Sequence, residues 1–307
     1  DLLFTGASIN GAKVTWRVVR NVRFPVWCWR ASWRYPSLKE QAIACGAAVT
    51  EVNGTFQIKF TAKPDLSILE EDEPVFAYTV YADVTDTTGE TRSTQKVVHA
   101  GYTALQAGIQ ADDWQTPDKA AELTITTLTL DGDSESAQGT VKVYSLIQPD
   151  KVIRAPLGSS SSQQNESNPD TWELGDMTGE YSFQTNDLGV TVLPVNLQAG
   201  IYRAKLQTHD RFGKPVSAEL TINVIDPQAS DFNINLTNYL AAPKWSIEPG
   251  ETFEAIWGTG YDTGIAYIEL ECRGNVLRSW WTDPNRTQEL IQQNVTEDMR
   301  GGFTLRV

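Results

Sequence analysis

His99 and His209 are the only histidines in this chain of 307 residues. Two are too few for a histidine metal cluster, and His209 stands beside Asp210 in a predicted turn with no G-x-S-x-G elbow anywhere, so it reads as a solvated turn residue. The stretch "LDGDSES" places Asp131, Asp133 and Glu135 at alternate positions, the spacing of oxygen ligands in a calcium loop. Ser136 stands where such a loop needs glycine, so an acidic hairpin loop is expected instead. Residues 70–73 are four consecutive carboxylates, whose mutual repulsion predicts a solvated loop rather than a metal site. Cys28, Cys45 and Cys272 have no C-x-x-C spacing. Cys28 and Cys45 can in principle bridge, but buried free thiols are the expectation, because cysteine is among the most buried residue types. Phosphate-binding and dinucleotide glycine fingerprints are missing too. No catalytic, cofactor-binding or metal-binding residue is therefore assigned, and the chain is not expected to be an enzyme.

One stretch stands apart: "WRVVRNVRFPVWCWRASWRYP", residues 16–36. Residues 1–40 carry seven Lys and Arg against two Asp and Glu, a local +5 in a chain of net charge −14. Trp27, Trp29 and Trp33 with Arg30 and Arg34 form a candidate surface for a neighbouring domain or an external ligand, through stacking and cation–π contacts. The plainer alternative is that Trp27 and Trp29, two apart on one strand face, fill a core while the arginines lay their stems along it.

The elements that must carry these residues are strands. Phe76, Tyr78, Val80, Ala82 and Val84 alternate with mostly polar neighbours, and so do Tyr202, Ala204, Leu206 and Thr208. Each run feeds an Asp-x-x-Gly turn, Asp86 to Gly89 and Asp210 to Gly213, the signature of a hairpin loop closed by a glycine bulge. Two further landmarks recur in the same order, Gly11 with Gly139 and Gly54 with Gly189, each read as a glycine turn before an alternating strand. "TPDKAAELTITT" and "EPGETFEAIWGT" mark early strands of a second and a third unit. The fold expected is all-β, with tandem antiparallel β-sandwiches at 1–101, 102–226 and 227–307, the first lacking opening strands and the third lacking closing ones. Only residues 37–47 suggest a short helix. The polar stretch 158–170 predicts a mobile loop in the second module. An acidic chain of pI near 4.6 disfavours nucleic acid and anionic membranes. No apolar run is long enough to span a bilayer, and no charged, apolar leader precedes Asp1, so a mature or excised soluble piece is expected.

Together "GAKVTWRVVR", "VFAYTVYADVTDTTGETRS", "GIYRAKLQTHDRFGKPV", "APKWSIEPGETFEAIWGTGYDTGIAYIELE" and "RGGFTLRV" resemble successive macroglobulin (MG) domains of a bacterial alpha-2-macroglobulin. The resemblance covers essentially the whole chain. It implies fibronectin III/Ig-like MG sandwiches forming a non-catalytic scaffold section of a protease trap, an endopeptidase inhibitor of bacterial defence. Its partners would be neighbouring MG domains and, through the parent protein, proteases; its location would be periplasmic, secreted or cell-surface, associated with the envelope. The family's thioester motif is missing, since Glu40-Gln41 precedes Cys45 in the wrong order. The alternative from another class is a surface adhesin or carbohydrate-binding β-sandwich array, which would employ the tryptophans directly.

Overall fold

Antiparallel strands make up nearly all of the regular structure in the computed structural model, which describes residues 9–25, 27–28, 35, 38–155 and 166–307. In the first module β1 (Lys13–Arg23), β2 (Gln41–Val49), β3 (Val75–Thr85) and β4 (Thr91–Gly101) form one sheet in the order β2-β1-β3-β4. Its even-numbered side chains face inward, and Val14, Val18, Tyr78 and Ala82 are buried. Across that face runs the extended segment 55–65, whose Phe56, Ile58 and Phe60 pack on the sheet while the segment itself joins no ladder. A two-sheet sandwich was expected here; among the described residues the second layer is this single segment. The Arg20 guanidinium holds it down, donating to Lys63 O at 3.0 Å and Asp65 Oδ2 at 2.6 Å.

Residues 41–49 are strand β2, not the expected helix. Gly46 lies against the Trp16 indole, where a Cβ would come within 2.6 Å of the ring. Small residues here let β2 close over a tryptophan of β1, so tertiary packing overrides the helical propensity of the alanines.

The second module is a seven-stranded sandwich. Strands β5 (Leu105–Gln110), β6 (Ala121–Thr129) and β9 (Val190–Val195) form one sheet, ordered β5-β6-β9. Strands β7 (Gln138–Leu146), β8 (Leu174–Gln184), β10 (Gly200–His209) and β11 (Pro215–Val224) form the other, ordered β11-β10-β7-β8. Leu123, Ile125, Val141, Val143, Ala204 and Leu206 meet between them with no exposure. Each such aliphatic side chain contributes about 1.5–3 kcal/mol of burial free energy at the larger sizes.

The third module repeats the plan on a smaller scale. Strands β12 (Tyr239–Ala241), β13 (Thr252–Gly258) and β16 (Gln288–Asn294) face β14 (Tyr267–Cys272), β15 (Asn275–Trp281) and β17 (Thr304–Arg306). Phe253, Ala255, Ile268 and Ile291 fill the space between the sheets.

Gly89 and Gly213 sit in equivalent hairpins, β3–β4 and β10–β11, at φ +91° and +81°. In both, the aspartate carbonyl accepts the glycine N–H while the carboxylate accepts two later amides. Gly54 and Gly189 also match, at φ +78° and +68°. The third pair differs: Gly11 is left-handed at φ +76°, whereas Gly139 lies inside β7 beneath the Phe183 ring and forms no turn. Of the expected mobile loop, 158–165 lies outside the described residues. Its end is anchored instead, because Arg203 donates to Pro169 O and Asp170 O, and the Trp172 indole to Glu166 O.

Candidate functional site: the joints between modules

Residues 70–73 are not a solvated loop; they form the first joint. A short 3-10 turn, Glu70–Asp72, presents one carboxylate after another to different partners. Glu70 pairs with Lys214 Nζ of the second module at 2.8 Å. Asp72 is fully buried and accepts from Tyr35 OH at 3.1 Å and the Cys28 thiol at 3.6 Å. Glu73 ends the turn in the left-handed region, φ +46°, where glutamate is strained. That conformation aims its Oε1 at Ser217 of β11, whose N–H and Oγ–H both donate, at 2.9 and 2.8 Å. Burial raises the Glu73 carboxyl above the usual glutamate range, outweighing the two Ser217 donors.

One further ion pair crosses the same joint. His99 of β4 pairs through Nδ1 with Asp131 Oδ1, 2.9 Å away in the turn after β6, and that bond holds the Asp131 carboxyl low. Glu135 pairs with Arg211 at 3.1 Å. Two of the acids spaced like a calcium loop, Asp131 and Glu135, are thus committed to separate partners, His99 and Arg211. Asp210 serves its own hairpin and the linker together, because its Oδ2 accepts the Ala104 N–H at 2.8 Å. Its burial opposes ionisation, but the amides of Ala104, Lys214 and Phe212 overcome this and hold the carboxyl below its usual value.

Of the five candidate surface residues, Trp27 is placed: it reaches out of the first module and packs against the core of the second. Beside it a cavity is lined by Trp27, Glu73 and Val75 from one side and by β5, β11 and Arg203 from the other. Trp29, Trp33, Arg30 and Arg34 lie outside the described residues. Cys28 and Cys272 are buried and form no disulfide, whereas Cys45, expected to be buried, is exposed on the edge strand β2. Small neighbours on an outer strand leave nothing to cover it.

The second joint is apolar at its centre. Leu146, Trp172, Ile201 and Ile225 of the second module form one buried cluster with Phe232, Ile234, Ala241 and Ile256 of the third. Polar contacts rim it: Gln148 Oε1 accepts Asn235 N–H at 2.7 Å, its Nε2 donates to Asn233 O at 3.0 Å, and Asn235 Nδ2 donates to Pro149 O at 2.7 Å. Tyr239 OH donates to Asp113 O at 3.0 Å, and burial, aided by the charge of Asp113, pushes its phenol up to about 12. None of the polar partners across this second joint was legible from the sequence, since each pair lies more than eighty residues apart.

Among the described residues no group of three or more His, Cys, Asp or Glu side chains gathers as metal ligands, and no helix is long and apolar enough to cross a membrane.

No protein-family model matches the sequence, and no curated protein matches it. Solved structures do match. The chain is similar over nearly its whole length to bacterial alpha-2-macroglobulins. Against the native conformation of the *E. coli* protein it aligns over 98% of its residues at 11% identity and TM-score 0.32. Against the *Salmonella* protein reacted with methylamine the figures are 98%, 12% and 0.33. It spans 19% and 20% of those two chains. A tetra-tandem repeat from the extending region of a large adhesion protein aligns over 94% of this chain and 60% of its own, at 13% identity and TM-score 0.26.

Proposed function

We propose that these residues are a scaffold section of a protease trap of the bacterial alpha-2-macroglobulin kind, non-catalytic in itself and placed in the cell envelope through the parent protein. The observation that carries this reading is the pair of joints. Glu73 clamps Ser217 across one boundary and the cluster around Ile234 and Trp172 closes the other, so the modules are held in a set order and orientation. A frame that must transmit a rearrangement needs such fixed joints; independent beads on flexible linkers do not. The ordered sequence resemblance to MG domains supplies the trap itself. The reading is tested by titrating the chain, and separately its parent protein, against trypsin-like and elastase-like proteases with a large protein substrate. The parent slows proteolysis and the 307 residues alone do not; stoichiometric inhibition by these residues alone refutes the scaffold role.

A second reading, a carbohydrate-binding array, is favoured by one observation. Tyr267 and Trp281 face each other across β14 and β15 with ring centroids 5.2 Å apart and exposures of 43% and 63%. Trp27, spent on the joint, is not available for it. Glycan binding that disappears in Trp281→Ala with the fold intact supports this reading over the first.

A further inference from the structure

Strand β2 holds the place in the first module that β8 and β15 hold in the second and third, at the end of a sheet and paired on one side. The third module is described throughout, and there too the outer edge of β15 stays open, so an open edge belongs to the plan the modules share. In the connector that precedes β2, Cys28 and Tyr35 are drawn to Asp72, and the Tyr35 ring packs on the inner face of the sheet. Open edges invite pairing with another chain, and proteins discourage it with charges, bulges and prolines. β8 has Asp176, Glu180 and two register shifts, and β15 has Arg278 and one. β2, QAIACGAAV, has neither charge nor proline, and its ladder with β1 is regular from Ala44 to Val49. Thr50 N–H donates to Ala12 O, and bonding alternates along an antiparallel pair. Ala44, Gly46 and Ala48 therefore bond β1, while Cys45, Ala47 and Val49 turn their N–H and C=O groups outward. The side chains of these three are exposed as well.

We propose that this edge pairs antiparallel with the same edge of a second copy of the chain, joining two first-module sheets across a two-fold axis at Ala47. Charge selects this occupant. Residues 1–101 hold eleven Lys and Arg against eleven Asp and Glu, so the net charge of −14 lies wholly in residues 102–307. First modules therefore meet without net repulsion. An isologous contact also needs a strand that fits its own copy. β8 laid against itself brings Asp176 and Glu180 of the two copies together, and β15 brings Arg278 beside Arg278; like charges so placed oppose pairing. β2 meets itself with alanine, cysteine and valine. An axis at Ala47 sets Cys45 opposite Val49, which keeps the contact within the regular stretch and matches outward amides with outward carbonyls.

The test is sedimentation equilibrium of the full chain under reducing conditions, joined to hydrogen exchange across the same concentration range. A dimer is expected, with exchange at Cys45, Ala47 and Val49 slowing as it forms. Cys45→Ser leaves it unchanged, because no disulfide takes part. Ala47→Lys and Ala47→Glu, exposed changes that spare the core, each weaken it about fivefold or more by setting like charges opposite one another. Mixing the two variants restores it as a heterodimer. A chain that stays monomeric overturns the proposal. So does a dimer indifferent to both substitutions, and so does slow exchange of the three amides in the monomer, which would show the edge already covered within the chain.

Discussion

Replacing Glu73 with alanine strikes the first joint at its most strained residue. The Ser217 amide and hydroxyl lose the carboxylate they share, at 2.9 and 2.8 Å. Leaving a partly buried donor unpaired costs about 1–3 kcal/mol, and alanine keeps the left-handed backbone at φ +46°, so only relief of the carboxylate's desolvation offsets the loss, and that relief disappears at acid pH. Glu73→Gly loses the same bonds but relieves roughly 1 kcal/mol of strain, and should fall between. Glu73→Gln retains an acceptor without the charge. Because burial raises the folded pKa of Glu73, its contribution is fully present below the unfolded pKa and is lost as pH rises through the folded value. The glutamine variant should therefore gain on the native chain as pH rises from about 4 through the raised value of the folded carboxyl, and level off above it. Urea unfolding read by tryptophan fluorescence gives the stabilities, and hydrogen exchange at the Ser217 amide reads the bond itself. An alanine variant with unchanged stability and unchanged Ser217 protection refutes the clamp.

Asp210→Asn should remove an acid-sensitive contribution: the depressed carboxyl stabilises the fold above its unfolded pKa and loses that effect as pH falls through the folded value, which an acid unfolding series will show. Gly139→Ala should be far more damaging than Gly213→Ala in thermal unfolding. An added Cβ meets Gln207 O at 2.2 Å in the first case and nothing within 4 Å in the second, where only about 1–2 kcal/mol of left-handed strain arises. Ile234→Ala should cost about 2–5 kcal/mol and raise exchange at Asn235, whose amide bonds Gln148 across the second joint.

The strands and their hairpins were legible because their causes are local. Alternation in β3 and β10 states which face is buried, and Asp86 and Asp210 bond amides two and four residues on. What failed was non-local. Nothing near residue 46 announces that Trp16 will lie over it, so an alanine-rich strand read as a helix. The carboxylates at 70–73 looked solvated because two of their partners, Lys214 and Ser217, are 144 residues away. Gly139 shows the limit of glycine as a signal: the residue type cannot tell a left-handed turn from a strand position with no room for a side chain. Trp27 was singled out correctly as unusual, but only the fold brings the second module's core to it.

The central claim is that the modules are held as one frame. Spin labels on exposed positions, Val52→Cys in the first module, Leu188→Cys in the second and Val276→Cys in the third, report it pairwise by pulsed dipolar spectroscopy, with Cys45→Ser removing the exposed native thiol. A single narrow distance distribution for each pair, broadened between the first two modules by Glu73→Ala, is the predicted result. Broad distributions in the native chain would contradict the account, because modules that swing freely cannot be held by the joints described.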